Sequence, residues 1–158
     1  MRHRESRPLS RSETALAASV FGDALDPAAV RLHRAKWFVF QPARVTMAPN
    51  GHVWFHPNGT CWSSDFSRES LALRALFIHE LVHCWQHQRG INLILRRPPF
   101  ARYAYTLLPG KPFARYGIEQ QACIVEDAYR RREGGLAVYD AANYEAAVYA
   151  ALIPFAPV

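Results

Sequence analysis

Residues 67–88 read as a helix with no clear polar face: Leu71, Leu73, Leu76, Phe77, Ile78, Leu81, Val82 and Trp85 cover nearly its whole circumference. Such a helix has to be surrounded by protein, so the remaining chain must pack around it. The predicted start lies at Asp65 or Ser67, and Gly90 supplies the stop after Gln88. His79, Glu80 and His83 interrupt the apolar surface. Burying two imidazoles and a carboxylate is costly unless partners or a metal ion compensate.

The spacing of those three residues suggests the compensation. His79-Glu80-Leu81-Val82-His83 has the form HExxH. Residues four apart share a helix face, so both imidazoles can reach one tetrahedral ion at about 2.0–2.1 Å from each nitrogen. Glu80 is rotated by about 100° from His79 and falls outside that shell. It is placed to take a proton from water activated at the ion, as a general base. Zinc is the expected cofactor.

A catalytic zinc needs a third protein ligand. The downstream candidates are His87, Glu119, Glu126 and Asp127. His87 lies one turn beyond His83, and three ligands on successive turns of a straight helix are almost collinear. Glu119 opens the next predicted helix, residues 118–132, and approaches from another direction, so it is the predicted third ligand. Glu126 and His87 are the candidates for supporting a ligand histidine, with the surface as the other reading of His87.

The chain has 158 residues, half of them apolar, which is enough for one core without cross-links. Residues 1–10 read as a mobile basic tail and residues 11–158 as one domain. Ser10 and Glu13 have capping-box spacing before a first helix that ends at Gly22. Asp26-Pro27 reads as a second helical start, and Trp37-Phe38-Val39-Phe40 has strand character. Residues 44–56 alternate about Pro49-Asn50-Gly51, as a β-hairpin does. A long irregular connection spans residues 89–118, and a last helix is predicted from Asp140 through Leu152. The predicted class is α+β, with a small antiparallel sheet or hairpin packed on the buried HExxH helix.

Cys61, Cys84 and Cys123 have no paired spacing, so neither a disulfide framework nor a thiolate zinc site is indicated, and a reducing compartment fits. The N-terminus lacks the apolar stretch of a Sec-type signal, and residues 146–158 are too short to span a bilayer. The expected location is the cytoplasm, or outside the cell by a signal-free route, without membrane insertion.

HELVHCWQH followed by YGIEQQA resembles the gluzincin branch of zinc metallopeptidases, in which a Glu on a later helix completes HExxH. The order FGDAL, KWFVFQP, MAPNGHVWFHP, DFS, FIHELVHCWQHQ and RYAYTLLPGKPFARYGIEQQA resembles small bacterial Vgr-related proteins, zincin-like domains associated with contact-dependent secretion and Rhs elements. That resemblance covers about residues 12–155. It implies a minimal zincin-like metallopeptidase fold, a peptide or protein substrate and a secretion-system partner. An upstream edge strand pairs with extended substrate in zincins, and residues 53–56 are predicted to fill that role, with His56 facing cleft or solvent.

Tyr116, Tyr103 and Tyr105 lie on the long connection and are the candidate donors to a developing oxyanion. No Asp or Glu lies between Glu80 and Glu119, a stretch containing Arg89, Arg96, Arg97, Arg102, Lys111 and Arg115. That asymmetry favours acidic peptides. Two other readings stand beside the hydrolase: a non-catalytic scaffold braced by the zinc in a secretion assembly, and an anionic-polymer or nucleic-acid binder that uses the basic stretch from Arg89 to Arg115. The overall charge, 19 Lys and Arg against 13 Asp and Glu, is too diffuse to identify a partner, and nucleic acid is the less favoured one.

Overall fold

Ser10 caps the first helix as its spacing predicts. Its Oγ accepts from the Glu13 amide at 3.1 Å, and Glu13 Oε2 accepts from the Ser10 amide at 2.8 Å. The helix α1 runs Arg11–Phe21 in a computed structural model that describes residues 5–156. Glu13 is fully buried and does more than cap. Arg7 grips its carboxylate at 2.7 and 2.9 Å, and the Phe66 amide donates to it at 2.8 Å. One carboxylate therefore ties three separate segments together. Glu13→Ala strips the buried charge partner from Arg7 and should cost about 3–5 kcal/mol, read as a lowered urea midpoint.

The Arg7–Glu13 pair also corrects the expected tail. Residues Glu5–Pro8 form strand β1, paired antiparallel with β2, Arg31–Arg34. Residues 1–4 of that expected tail lie outside the described residues.

The predicted hairpin is present as β3, Thr46–Met47, and β4, Val53–Phe55, paired antiparallel. Gly51 has φ +83°, and a Cβ there would meet His87 Cδ2 at 2.5 Å, so the turn and its contact with the central helix both require glycine. The sheet order is β1-β2-β4-β3. Because β2 and β4 run parallel, the sheet is mixed rather than antiparallel as expected. Leu32 and Val53, partners in that register, are both fully buried, which fixes the pairing by a shared core face.

Residues 37–40 do not form the predicted strand. Gln41 explains why: its side chain accepts from the Trp37 amide at 2.8 Å and donates to the carbonyls of Val45, at 2.8 Å, and Trp54, at 3.3 Å. The buried amide pins a loop instead of a ladder, and Phe40 is left 86% exposed.

The central helix α2, Leu71–Gln88, begins after a 3₁₀ turn at Phe66–Arg68. Every residue from Phe77 to Gln86 is buried, as an all-round apolar helix requires. Phe55, Phe66 and Phe77 stack at 5.2 and 4.9 Å between ring centroids and join sheet to helix. The long connection holds a short helix α3, Leu93–Arg96. The next helix, α4, Ile118–Arg132, has the predicted bounds and packs along α2.

The last helix, α5, is only Ala146–Ala150. Its predicted start, Asp140, is used otherwise, accepting from the Tyr149 hydroxyl at 2.9 Å and the Ala142 amide at 3.0 Å, which holds a turn. The fold is α+β, and Cys61, Cys84 and Cys123 are free thiols. No helix among the described residues is long and apolar enough to cross a membrane.

Candidate metal centre

The packing of α4 on α2 brings three predicted ligands to one point. Glu119 Oε2 lies 3.4 Å from His79 Nε2 and 3.1 Å from His83 Nε2, and the three donor atoms all fall within 4.8 Å of one another. Ligands bonded tetrahedrally at about 2.0–2.1 Å stand roughly 3.3 Å apart, so the cluster is already close to the spacing of a zinc shell. All three residues are buried.

The outer ring nitrogens are committed elsewhere. His79 Nδ1 donates to Glu126 Oε2 at 3.0 Å, and His83 Nδ1 donates to Gln86 Oε1 at 2.9 Å. Both acceptors are oxygens, so each Nδ1 carries the proton, and the two Nε2 atoms face Glu119. The supports are themselves held. Arg130 donates to Glu126 Oε1 at 3.1 and 2.9 Å, while Gln86 donates to the Ile118 carbonyl at 3.1 Å and to Gln121 at 2.9 Å. Glu126→Gln is expected to weaken metal affinity about 10–100-fold without abolishing it, measured by competition against a chelating dye.

The electrostatics follow from this crowding. Burial opposes a charge on His79, yet hydrogen bonds with Cys123, Glu119 and Glu126 outweigh it and raise the imidazole well above its ordinary value. Burial likewise opposes ionisation of Glu119, and the two histidines overcome it, holding the carboxyl far below the usual range. An ion entering here has to displace the His79 proton, so protons and metal compete for one position.

Glu80 behaves differently. Burial lifts its carboxyl above the ordinary range, only partly offset by the neighbouring histidines. Its Oε2 is a buried side-chain oxygen without a hydrogen-bond partner. Such an atom is costly in a finished interior, and its presence beside a nitrogen-and-oxygen donor set fits a site that takes an ion and water.

These residues floor a cleft of about 620 Å³. Residues 44–49, including β3, line one side, and α3 with the segment after it lines another. The edge strand at the cleft is therefore β3, not residues 53–56, because β4 is enclosed between β2 and β3. His56 faces neither cleft nor solvent: it is buried, and its Nδ1 accepts from the Asn58 amide at 3.0 Å.

Of the three tyrosines, only Tyr103 lines the cleft. The Tyr105 hydroxyl donates to Asp127 at 2.8 Å, and the Tyr116 hydroxyl accepts from the Leu108 amide at 3.0 Å, so both brace the connection. His87 is exposed near the end of α2 against Gly51, and the histidine supports are Glu126 and Gln86 instead.

Three residues in and behind the site carry no motif of their own: Gln86 behind His83, and Arg97 and Tyr139 in the cleft. Gln86 carries a signal in retrospect, since it stands three residues after His83 on an otherwise apolar helix. Arg97 places Nε 3.3 Å from Glu119 Oε1 and donates to the Tyr103 hydroxyl at 2.9 Å. Tyr139 reaches the cleft because Asp127 accepts from the amides of Val138, Tyr139 and Asp140, a long-range clamp with no local pattern.

Fold and cluster together define an α+β domain with a candidate buried metal centre. No protein-family model matches the sequence. Over 131 residues it is 43% identical to the type VI secretion system spike protein VgrG2b of Pseudomonas aeruginosa, a match covering 78% of this chain and 13% of that protein's length. The solved structure of the effector domain of Pseudomonas aeruginosa VgrG2b is similar with a TM-score of 0.69 at 41% identity, over 78% of this chain and 73% of that one. The chain belongs to the family of that effector domain.

Proposed function

We propose that this domain is a zinc-dependent hydrolase of peptide or amide bonds, acting as an effector associated with a secretion system. The observation that carries the reading is the convergence of His79 Nε2, His83 Nε2 and Glu119 Oε2 within 4.8 Å on the floor of an open cleft. Zinc held by those three residues supplies positive charge that acidifies water and polarises a carbonyl. The chain supplies the rest. Glu80, outside the ligand set, lining the cleft and lifted by burial, accepts the proton of water on its carboxylate and passes it to the leaving amine. Glu126 and Gln86 hold the two imidazoles in the tautomer that presents Nε2. Arg97, Tyr103 and Tyr139 line the cleft as candidate donors to a carbonyl oxygen that gains charge.

The kinship with a spike protein's effector domain supports delivery out of the producing cell by a secretion apparatus. It also favours a second reading, in which the metal braces a scaffold that docks on such an assembly. An ion with four protein ligands is the mark of that alternative.

The test is metal analysis combined with hydrolysis of mixed peptide substrates. About one zinc per chain, loss of hydrolysis on chelation and recovery on adding zinc are the expected results. Hydrolysis that survives complete removal of metal contradicts the proposal.

A further inference from the structure

Glu80 and Glu119 stand on the floor of the cleft, but most residues of its walls fall within two stretches of chain, 27–64 and 81–118, that contain no Asp or Glu. Together they make up nearly half of a chain with 13 acidic residues, and they hold ten Lys and Arg. Two of those cations line the cleft, Arg44 from the β3 side and Arg97 from the end of α3. Arg97 is partly matched by Glu119. Arg44 is exposed and has no carboxylate within ion-pair distance among the described residues.

The rim has a second character. Phe38 and Ile94 line the cleft while remaining exposed, and beside them in the chain Val39, Phe40 and Leu95 are exposed too, as is Phe100, which follows the lining residues Pro98 and Pro99. Phe100 is 93% exposed. Apolar side chains bordering one opening, rather than scattered singly, mark a surface that is covered in use.

Resting on the hydrolase reading above, we propose that the cleft selects extended peptide segments in which acidic residues neighbour bulky apolar ones. Carboxylates meet Arg44 and Arg97, and apolar side chains cover Phe38 and Ile94. The edge of β3 that faces away from β4 offers main-chain groups to an extended strand. A nucleic acid fits this surface less well. Its regularly spaced phosphates call for a run of cations, and two arginines line the cleft among mostly apolar neighbours.

The experiment uses fluorescein-labelled nonapeptide pools and the full chain carrying Glu80→Gln, chosen because it is expected to slow turnover. One pool alternates Asp or Glu with Leu, Phe or Trp; a second replaces the acids by Gln; a third replaces the apolar residues by Ser. Labelled oligothymidylate is the fourth probe. Anisotropy should show the acidic–apolar pool binding at least tenfold more tightly than the other three probes. Arg44→Glu and, separately, Phe38→Ser should each erase most of that preference, with the fold checked by circular dichroism. Equal binding of the acidic and Gln pools, an unchanged preference in Arg44→Glu, or tighter binding of oligothymidylate overturns the proposal. Zinc content is measured on the same samples, and pool binding is read with and without zinc. A chain that holds zinc but ignores acidity refutes the selectivity alone, whereas a chain that holds no zinc refutes the hydrolase reading.

Discussion

Glu80→Gln is expected to keep about one zinc per chain while lowering peptide hydrolysis by about 10²–10⁴-fold, the usual range for loss of a general base. The side chains have nearly the same shape, and Glu80 is not among the three donor atoms that converge, so the shell should be intact. What disappears is a basic oxygen in a buried position, Oε2, that no protein donor occupies. An amide oxygen there can still accept a hydrogen bond from water but cannot hold its proton. Because burial disfavours the charged carboxylate, the neutral variant should be at least as stable as the parent in thermal unfolding of the metal-free chain. Zinc content and rate are measured on one preparation. Full turnover in a zinc-loaded Gln variant removes Glu80 from the mechanism.

Glu119→Ala should act on the metal itself. Oε2 is the atom shared by both histidines, at 3.4 and 3.1 Å, so its removal takes away a ligand and also the anion that draws the two imidazoles together. The expected loss of affinity exceeds the roughly 10–100-fold typical of an outer-shell change. It should be visible as zinc lost during desalting. Arg97, whose Nε sits 3.3 Å from Glu119 Oε1, loses its carboxylate as well, but its side chain is 44% exposed and water replaces much of that contact. The fold should therefore persist, separating this variant from Glu13→Ala, whose effect is on stability. A Glu119→Ala chain that binds zinc as tightly as the parent shows that the third ligand lies elsewhere.

The parts of the site that were legible are those written in helical spacing. His79 and His83 share a face by the four-residue interval, Glu80 is offset by one, and Glu119 was reachable by elimination because few carboxylates follow. Gln86 belongs to no metal-site pattern, and a glutamine near a helix end is ordinarily a surface residue, although Gln86 is fully buried. Tyr139 was beyond local reading, since Asp127, twelve residues earlier, sets its place through main-chain amides.

The fold was legible to a similar depth and for the same reason. The capping box at Ser10, the hairpin at Gly51 and the helices Leu71–Gln88 and Ile118–Arg132 are local patterns. Sheet order is not local. The parallel pairing of β2 with β4 leaves β3 as the strand beside the cleft, and alternation within residues 44–56 carries no trace of that. The run at residues 37–40 misled because aromatic and β-branched side chains suit a strand face and a binding rim equally well. Burial of Gln41 decided between them.

Anomalous diffraction at the zinc edge, from crystals of the zinc-loaded chain, tests the central claim most directly. One strong peak is expected, about 2.0–2.1 Å from His79 Nε2 and His83 Nε2 and about 2.0–2.2 Å from a Glu119 oxygen, with a fourth position open to solvent. No peak at the cluster, or a peak whose ligands are other side chains, contradicts it.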